Sequence, residues 1–300
     1  MSNKLIVILG PTASGKSALV AKLAKKFKGE IVSADSRQIY REMDIGTAKV
    51  IPKKDEVPCH LIDIINPDQE FTVAEYKERG IKIIRDIQRR DKVPFLVGGA
   101  GLYIKAIVDN LKIPPVSPDK ALRNRLNKKS IQELIKKLKR LDPEALLQFR
   151  IKDKCRLIRA LEVCLLTKRP FSQQRVQGEP LFEALQIGLK VPRKKLYKRI
   201  NERVDEMIEK GLIEEVKKLG KKYAWNLPSM SGIGYKQIGM YLHKKINLER
   251  TIELIKRDTR RYARRQITWF RQDKRIHWVK TKKEAEKLIR TFLDNYSGLD

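Results

Sequence analysis

Eight consecutive residues have the types and spacing to hold a polyphosphate: Gly10, Pro11, Thr12, Ala13, Ser14, Gly15, Lys16 and Ser17. Glycines let successive backbone N–H groups converge on an anion, the lysine adds a point charge, and the serine hydroxyl offers a hard oxygen to Mg²⁺. Asp35 is the next residue with chemical potential. It follows Glu30–Ser33, which reads as a second strand, and a carboxylate there serves either as an acid or base in a crevice or as a turn cap. Arg199 and Arg203 lie four apart. They suit either phosphate clamping or a salt-bridged surface with Glu202 and Glu206.

These residues need elements to position them. Leu5–Leu9 reads as a buried strand, and Ala18, Leu19, Val20, Leu23, Ala24 and Phe27 mark one helix face. Strand, glycine loop, helix is the setting in which the motif binds phosphate, rather than an ordinary Gly/Ser turn. Pro94–Val97 reads as another strand, and Gly98–Gly101 follows it before a helix. That turn either aims more N–H groups at the site or permits close packing. The strand ends in glycine where a magnesium-holding aspartate is usual, which argues against an ATPase. Leu61–Ile65 reads as strand-like, and Thr72 with Glu75 as a capping box.

From about Asp119 to Pro180 the pattern turns wholly helical and basic, with helices expected over 122–126, 131–141 and 154–166. Arg156 and Arg159 share a face there, either solvated or a clamp on a nucleic-acid backbone. A strand resumes at Leu185–Leu189 and a helix carrying Leu196, Ile200 and Val204 follows. Gly211 and Gly220 interrupt or end helices, and Pro228–Tyr235 is a glycine-bearing loop. A long helix over about 248–271 places Ile255, Tyr262, Ala263 and Gln266 inside a ring of arginines. Its Trp269 is read as core, and the stretch from Leu288 to Asp300 as a frayed helix end.

The formal net charge of +31 favours a polyanionic partner, with nucleic acid foremost, although part of that charge simply solvates the surface. Cys59, Cys155 and Cys164 form no metal or disulfide pattern, and His60, His243 and His277 are isolated and read as structural. No apolar stretch reaches membrane-spanning length and no signal peptide is expected, so a cytoplasmic protein without membrane contact is expected.

Several motifs occur in a fixed order. They are Gly10–Ser17, Ser33–Ser36, Met43–Lys49, Val97–Tyr103, Arg159–Val163, Gly232–Tyr235 and Arg265–Trp269. Together they resemble the tRNA dimethylallyltransferase (isopentenyl-tRNA transferase) family over nearly the whole chain. The resemblance implies an α/β fold: a P-loop parallel-sheet core, like that of nucleotide kinases, with an inserted all-helical tRNA-binding domain. The expected division is 1–116 and 184–300 for the core and 117–183 for an insertion gripping the anticodon stem-loop.

The resemblance further implies transfer of a dimethylallyl group from dimethylallyl diphosphate to N6 of the adenosine at tRNA position 37. Diphosphate would be held by residues 10–17, Mg²⁺ by Ser17, with Lys16 and Arg203 in the clamp and Asp35 as general base. The tRNA contacts implied are Asp35, Ser36, Arg37, Gln38, Ala100, Arg123, Cys155, Arg156, Leu157, Ile158 and Arg159, in a monomer. Two departures stand out. Ala100 replaces a usual threonine, removing one hydroxyl near the reaction and implying slower transfer or altered substrate handling. Cys155 replaces a common glutamine, which softens RNA contact. The alternatives are a P-loop nucleotide or nucleoside kinase, or a non-catalytic RNA-binding protein with a decayed loop.

Overall fold

The computed structural model of the chain describes residues 3–49, 57–114, 116–148, 153–174 and 176–294. They form two compact units, one from Met1–Ile107 with Leu181–Asp300, the other from Val108–Pro180.

The first unit begins with β1 (Lys4–Leu9), every residue of which is buried, and α1 (Lys16–Lys26). Then come β2 (Gly29–Ala34), β3 (Cys59–His60), α2 (Val73–Arg89), β4 (Val93–Gly98) and α3 (Gly101–Val108). The capping box expected for α2 is present: Thr72 Oγ1 accepts from Glu75 N and the Glu75 carboxylate accepts from Thr72 N.

The second unit holds α4 (Lys120–Asn127), α5 (Ile131–Leu141), α6 (Pro143–Gln148), α7 (Lys154–Thr167) and α8 (Phe171–Gln174). Its core packs Leu122, Leu126, Leu134, Leu138, Leu157 and Leu161. The chain re-enters the first unit through β5 (Glu183–Leu189), α9 (Arg193–Glu209) and α10 (Leu212–Lys222). A 3₁₀ turn at Ser229–Ser231 leads to α11 (Tyr235–Leu242), α12 (Leu248–Phe270), β6 (His277–Val279) and α13 (Lys282–Asp294).

The six strands form one sheet in the order β3-β2-β4-β1-β5-β6, and every pairing is parallel. Register aligns Leu9 with Gly98 and Gly188, and Ala34 with Gly98. The carboxyl ends of the four central strands therefore finish level, which is where ligands bind in open parallel sheets. Tyr76 on α2 steadies this edge by donating from its hydroxyl to Ser33 O at 3.0 Å and stacking on Tyr103 at 3.8 Å.

Several sequence expectations require correction. The strand near residue 60 is Cys59–His60, not Leu61–Ile65. Leu61 and Asp63 have φ of 62° and 54°, which no extended strand accommodates, and Ile65 keeps a single bridge to Tyr40. Gly220 lies within α10, where an added Cβ would sit 2.1 Å from the Trp225 ring. Leu288–Asp294 belongs to α13, with Ile289 fully buried, and 295–300 lie outside the described residues.

Candidate active site

β1 delivers the chain into the glycine loop and α1 carries it away. Gly15 caps α1 with φ 93°, a left-handed conformation that favours glycine, and no side chain accepts from the first turn. Gly15, Lys16, Ser17 and Ala18 at this helix start line the larger of the site's two cavities, and no capping side chain competes for their N–H groups. The Lys16 ammonium folds back over its own loop, donating to Gly10 O at 2.8 Å and Pro11 O at 2.7 Å. Enclosure lowers its pKa to about 7; the Asp35 carboxylate opposes this and Arg203 adds to it. Ser17, exposed on the first turn, lines the same cavity.

α9 supplies the cations opposite. Arg203 Nη1 donates to Thr12 Oγ1 and Arg199 Nη1 to Ser14 O, each at 3.4 Å. Burial lowers the Arg203 pKa, with Asp35 and Glu206 opposing. Glu202 and Glu206 pair instead with Lys198 and Lys210, so both arginines face the loop.

Asp35 leaves the end of β2, and its Oδ1 accepts from Arg37 N at 2.8 Å. The turn-cap and cavity readings of this residue are thus both realised. The Arg37 guanidinium reaches away to Pro228 O at 2.6 Å and Ser231 Oγ at 3.3 Å, tying that loop to the Asp35 turn. Gln38 bridges Ser33 Oγ and Thr47 O, each at 3.3 Å. The 44–46 backbone is held by Glu215, which accepts from Asp44 N, Ile45 N and Gly46 N at 2.9, 2.7 and 3.1 Å and from the Tyr235 hydroxyl at 2.7 Å.

The turn after β4 has a physical reason for its glycines. A Cβ on Gly98 would stand 2.0 Å from Ala34 O, so no acidic side chain fits at this strand end. Gln266 of α12 is 6% exposed and spans two loops: its Oε1 accepts from Thr12 N at 2.8 Å and its Nε2 donates to Gly99 O at 2.9 Å. Half-buried Ala100 donates from its N–H to Ala34 O at 3.1 Å. Trp269 is half-buried and packs over Gly101.

Two cavities open here, of about 910 and 360 Å³. The larger runs along the glycine loop and has apolar walls at Ile31, Val57, Ile62 and Val97. The smaller is walled by Ser36, Arg37, Ser231, Gly232 and Arg265. Thr12, Asp35, Thr47, Arg203, Met207 and Tyr262 line both. Cys59 also lines the larger one, and burial pushes its thiol up to about 12, leaving it protonated and a poor nucleophile.

The residues named in the second unit take different positions. Leu157 and Ile158 are buried in its core, whereas Cys155 and Arg156 are exposed at the start of α7, Arg156 pairing with Asp153 at 3.1 Å. Arg123 and Arg159 both engage the fully buried Glu162, at 2.8 and 2.6 Å. Burial raises the pKa of Glu162, but the two guanidinium groups and the Asp119 N–H outweigh it and hold the carboxylate below its ordinary value.

Of the residues singled out from the sequence, Thr12–Ser17, Asp35 and Arg203 line one cavity; Gln266 and Thr47, which carried no role there, line it too, and Glu215 holds the loop beside it. Gln266 left a signal: an amide on the apolar face of a helix, beside Ala263 and Ile267, needs polar partners.

Among known proteins, the family model described as IPP transferase matches residues 38–273. The tRNA dimethylallyltransferase of Carboxydothermus hydrogenoformans is 46% identical, over 100% of this chain and 99% of its own. The corresponding protein of Microcystis aeruginosa is also 46% identical, over 99% and 95%. The crystal structure of the full-length tRNA isopentenylpyrophosphate transferase from Bacillus halodurans has a TM-score of 0.73 at 39% identity, covering 97% of this chain and 96% of that one. A eukaryotic dimethylallyltransferase captured acting on tRNA has a TM-score of 0.79 at 26% identity, covering 99% and 79%. The motif order, the parallel sheet around the glycine loop and these full-length matches agree: the chain belongs to the IPP transferase family.

Proposed function

We propose that this chain transfers a dimethylallyl group from dimethylallyl diphosphate to N6 of the adenosine at tRNA position 37, releasing diphosphate. The observation that carries the reading is that Asp35, Thr12 and Arg203 line both cavities. A donor seated on the glycine loop and a base entering through the smaller cavity would meet at one carboxylate flanked by cations.

In this reaction the N6 lone pair forms a bond to C1 of the allyl group, and the C1–O bond breaks with its electrons passing to diphosphate. Asp35 takes the N6 proton. The loop N–H groups, Lys16 and Arg203 stabilise the charge that grows on the leaving oxygen. For this Lys16 must exchange its loop carbonyls for diphosphate oxygens, a reorientation that a flexible four-carbon stem allows. The apolar wall at Ile31, Val57, Ile62 and Val97 suits an isoprenoid tail and excludes water from an allyl cation-like carbon.

A magnesium ion fits the donor set. Ser17 offers a hard oxygen at the helix start and lines the cavity that would hold the diphosphate. Mg²⁺ held by Ser17 and the diphosphate would supply Lewis-acid neutralisation of the leaving group.

For the RNA, Ser36, Arg37, Gln38 and Ala100 border the adenosine's route, and in the second unit the exposed Arg156 and Cys155 meet the anticodon stem-loop. Arg123 and Arg159 support that surface, with Leu157 and Ile158 as the core beneath it. No helix of the described residues is long and apolar enough to cross a membrane. Three dispersed free cysteines support a cytoplasmic, reducing setting, and the family likeness alone suggests a monomer.

The test is transfer of radiolabelled dimethylallyl diphosphate to unmodified tRNA with adenosine 3′ of the anticodon, with and without Mg²⁺. Wild type labels the tRNA, and Asp35→Ala loses at least about 100-fold in rate, the scale of general-base catalysis. Full activity in Asp35→Ala removes the carboxylate from its role. Phosphorylated product from ATP in place of labelled tRNA would favour a kinase.

A further inference from the structure

Gln266 sits at a depth where an unsatisfied amide is costly, so both ends of its side chain need partners. It finds them on two different loops. Its oxygen is bound by Thr12 N and its nitrogen by Gly99 O, at 2.8 and 2.9 Å. The loops belong to opposite halves of the proposed reaction. Thr12 lies in the phosphate loop, with its hydroxyl on Arg203. Gly99 continues Gly98, which is register-paired with Ala34, and the next residue, Ala100, is bound to the same Ala34 carbonyl. Ala34 immediately precedes Asp35.

One side chain therefore joins the leaving-group loop to the backbone that carries the base. The chain makes room for it: an added Cβ on Gly99 would stand 2.2 Å from Gln266 Nε2. Gly101 likewise gives way to Trp269 one helical turn on, where an added Cβ would stand 2.2 Å from Nε1. Two side chains of α12 thus dock onto the same glycine turn.

We infer that Gln266 is a positioning residue that fixes the distance between the diphosphate and Asp35, acting through Thr12 and Gly99. This rests on the transferase reading above. Displacement transfer needs nucleophile, carbon and leaving oxygen in line, and a misplacement of about 1 Å costs on the order of 100-fold in rate. Both ends of the amide are needed. A carboxylate in the same place would keep the bond from Thr12 N but turn a second acceptor toward Gly99 O; protonation would restore a donor.

The experiment compares wild type, Gln266→Leu and Gln266→Glu in steady-state transfer between pH 5.5 and 8.5, with thermal midpoints for each. The expected result for Gln266→Leu is a fall of 30- to 100-fold in kcat. Its KM for dimethylallyl diphosphate and its tRNA affinity should stay within threefold of wild type. The Gln266→Glu variant should be equally slow at pH 8 and regain at least tenfold relative to wild type as pH falls. Rates are read as a ratio to wild type at each pH because the other charged and ionisable groups of the same cavity, Lys16, Asp35, Asp44, Lys49, Cys59, Arg199, Arg203, Glu206, Lys210 and Tyr262, are common to all three proteins.

A Gln266→Leu variant with kcat within threefold of wild type overturns the inference. So does a Gln266→Glu ratio that stays flat with pH, which also decides the matter if Gln266→Leu does not fold. Inactive wild type, by contrast, overturns the transferase reading itself.

Discussion

Lys16 meets two opposing demands. It must be a cation to hold diphosphate, yet in the free protein its ammonium is enclosed and its pKa falls to about 7. The sign follows directly: above pH 7 the free protein increasingly holds a neutral amine, and an arriving diphosphate draws a proton back onto it. Calorimetry in buffers of different ionisation enthalpy should show proton uptake on donor binding at pH 8, with affinity falling as pH rises. Lys16→Met should bind more weakly and lack that uptake while keeping most of its tRNA affinity. Uptake unchanged in the variant would assign the proton elsewhere. At this scale much of the site was legible. The spacing of Gly10, Gly15, Lys16 and Ser17 is itself a chemical statement, and Asp35 follows a strand. Gln266 and Glu215 were harder to read because each acts through backbone groups of loops distant in sequence, of which the sequence records only a polar side chain in need of partners.

Among the elements, β4 shows how packing overrides a motif. Its last residue stands where many P-loop proteins keep an acid, and the reason for glycine is steric: the Ala34 carbonyl occupies the place of any Cβ. Gly98→Ala should lower stability by about 3 kcal/mol, the scale of overpacking in a core, measured as a reduced urea midpoint with an unchanged slope. A midpoint equal to wild type would mean that the β2–β4 pairing yields readily. Long periodic elements such as α2, α5, α9 and α12 were readable from their apolar stripes. The two-residue strand β3 was not: the chain leaves it through positive φ at Leu61 and Asp63, and the apolar stretch that follows is tied by Asp63 N and Ile64 N to the carbonyls of Gln38 and Ile39, which no local pattern records. β6 was missed, and only the end of α13 was read as helix, because the hydrophobic pattern there is short and diluted by lysine.

For the molecule as a whole, a net charge of +31 makes polyanion binding strongly dependent on salt. The slope of log K against log salt for tRNA should be steeper than about −4, corresponding to roughly six neutralised phosphates. A slope near −1 would mean that most of the charge serves only to solvate the surface. The strand order carries a different consequence. β1, which leads into the glycine loop, lies between β4 and β5, and its partner residues on β5 are 183–188. During synthesis at about 5–20 residues per second, β1 waits on the order of ten seconds or more with one edge open. The helical unit of Val108–Pro180, built from local contacts, emerges before β5 does. Gln266 arrives later still, so the ribosome finishes the scaffold of this enzyme well before it finishes the catalyst.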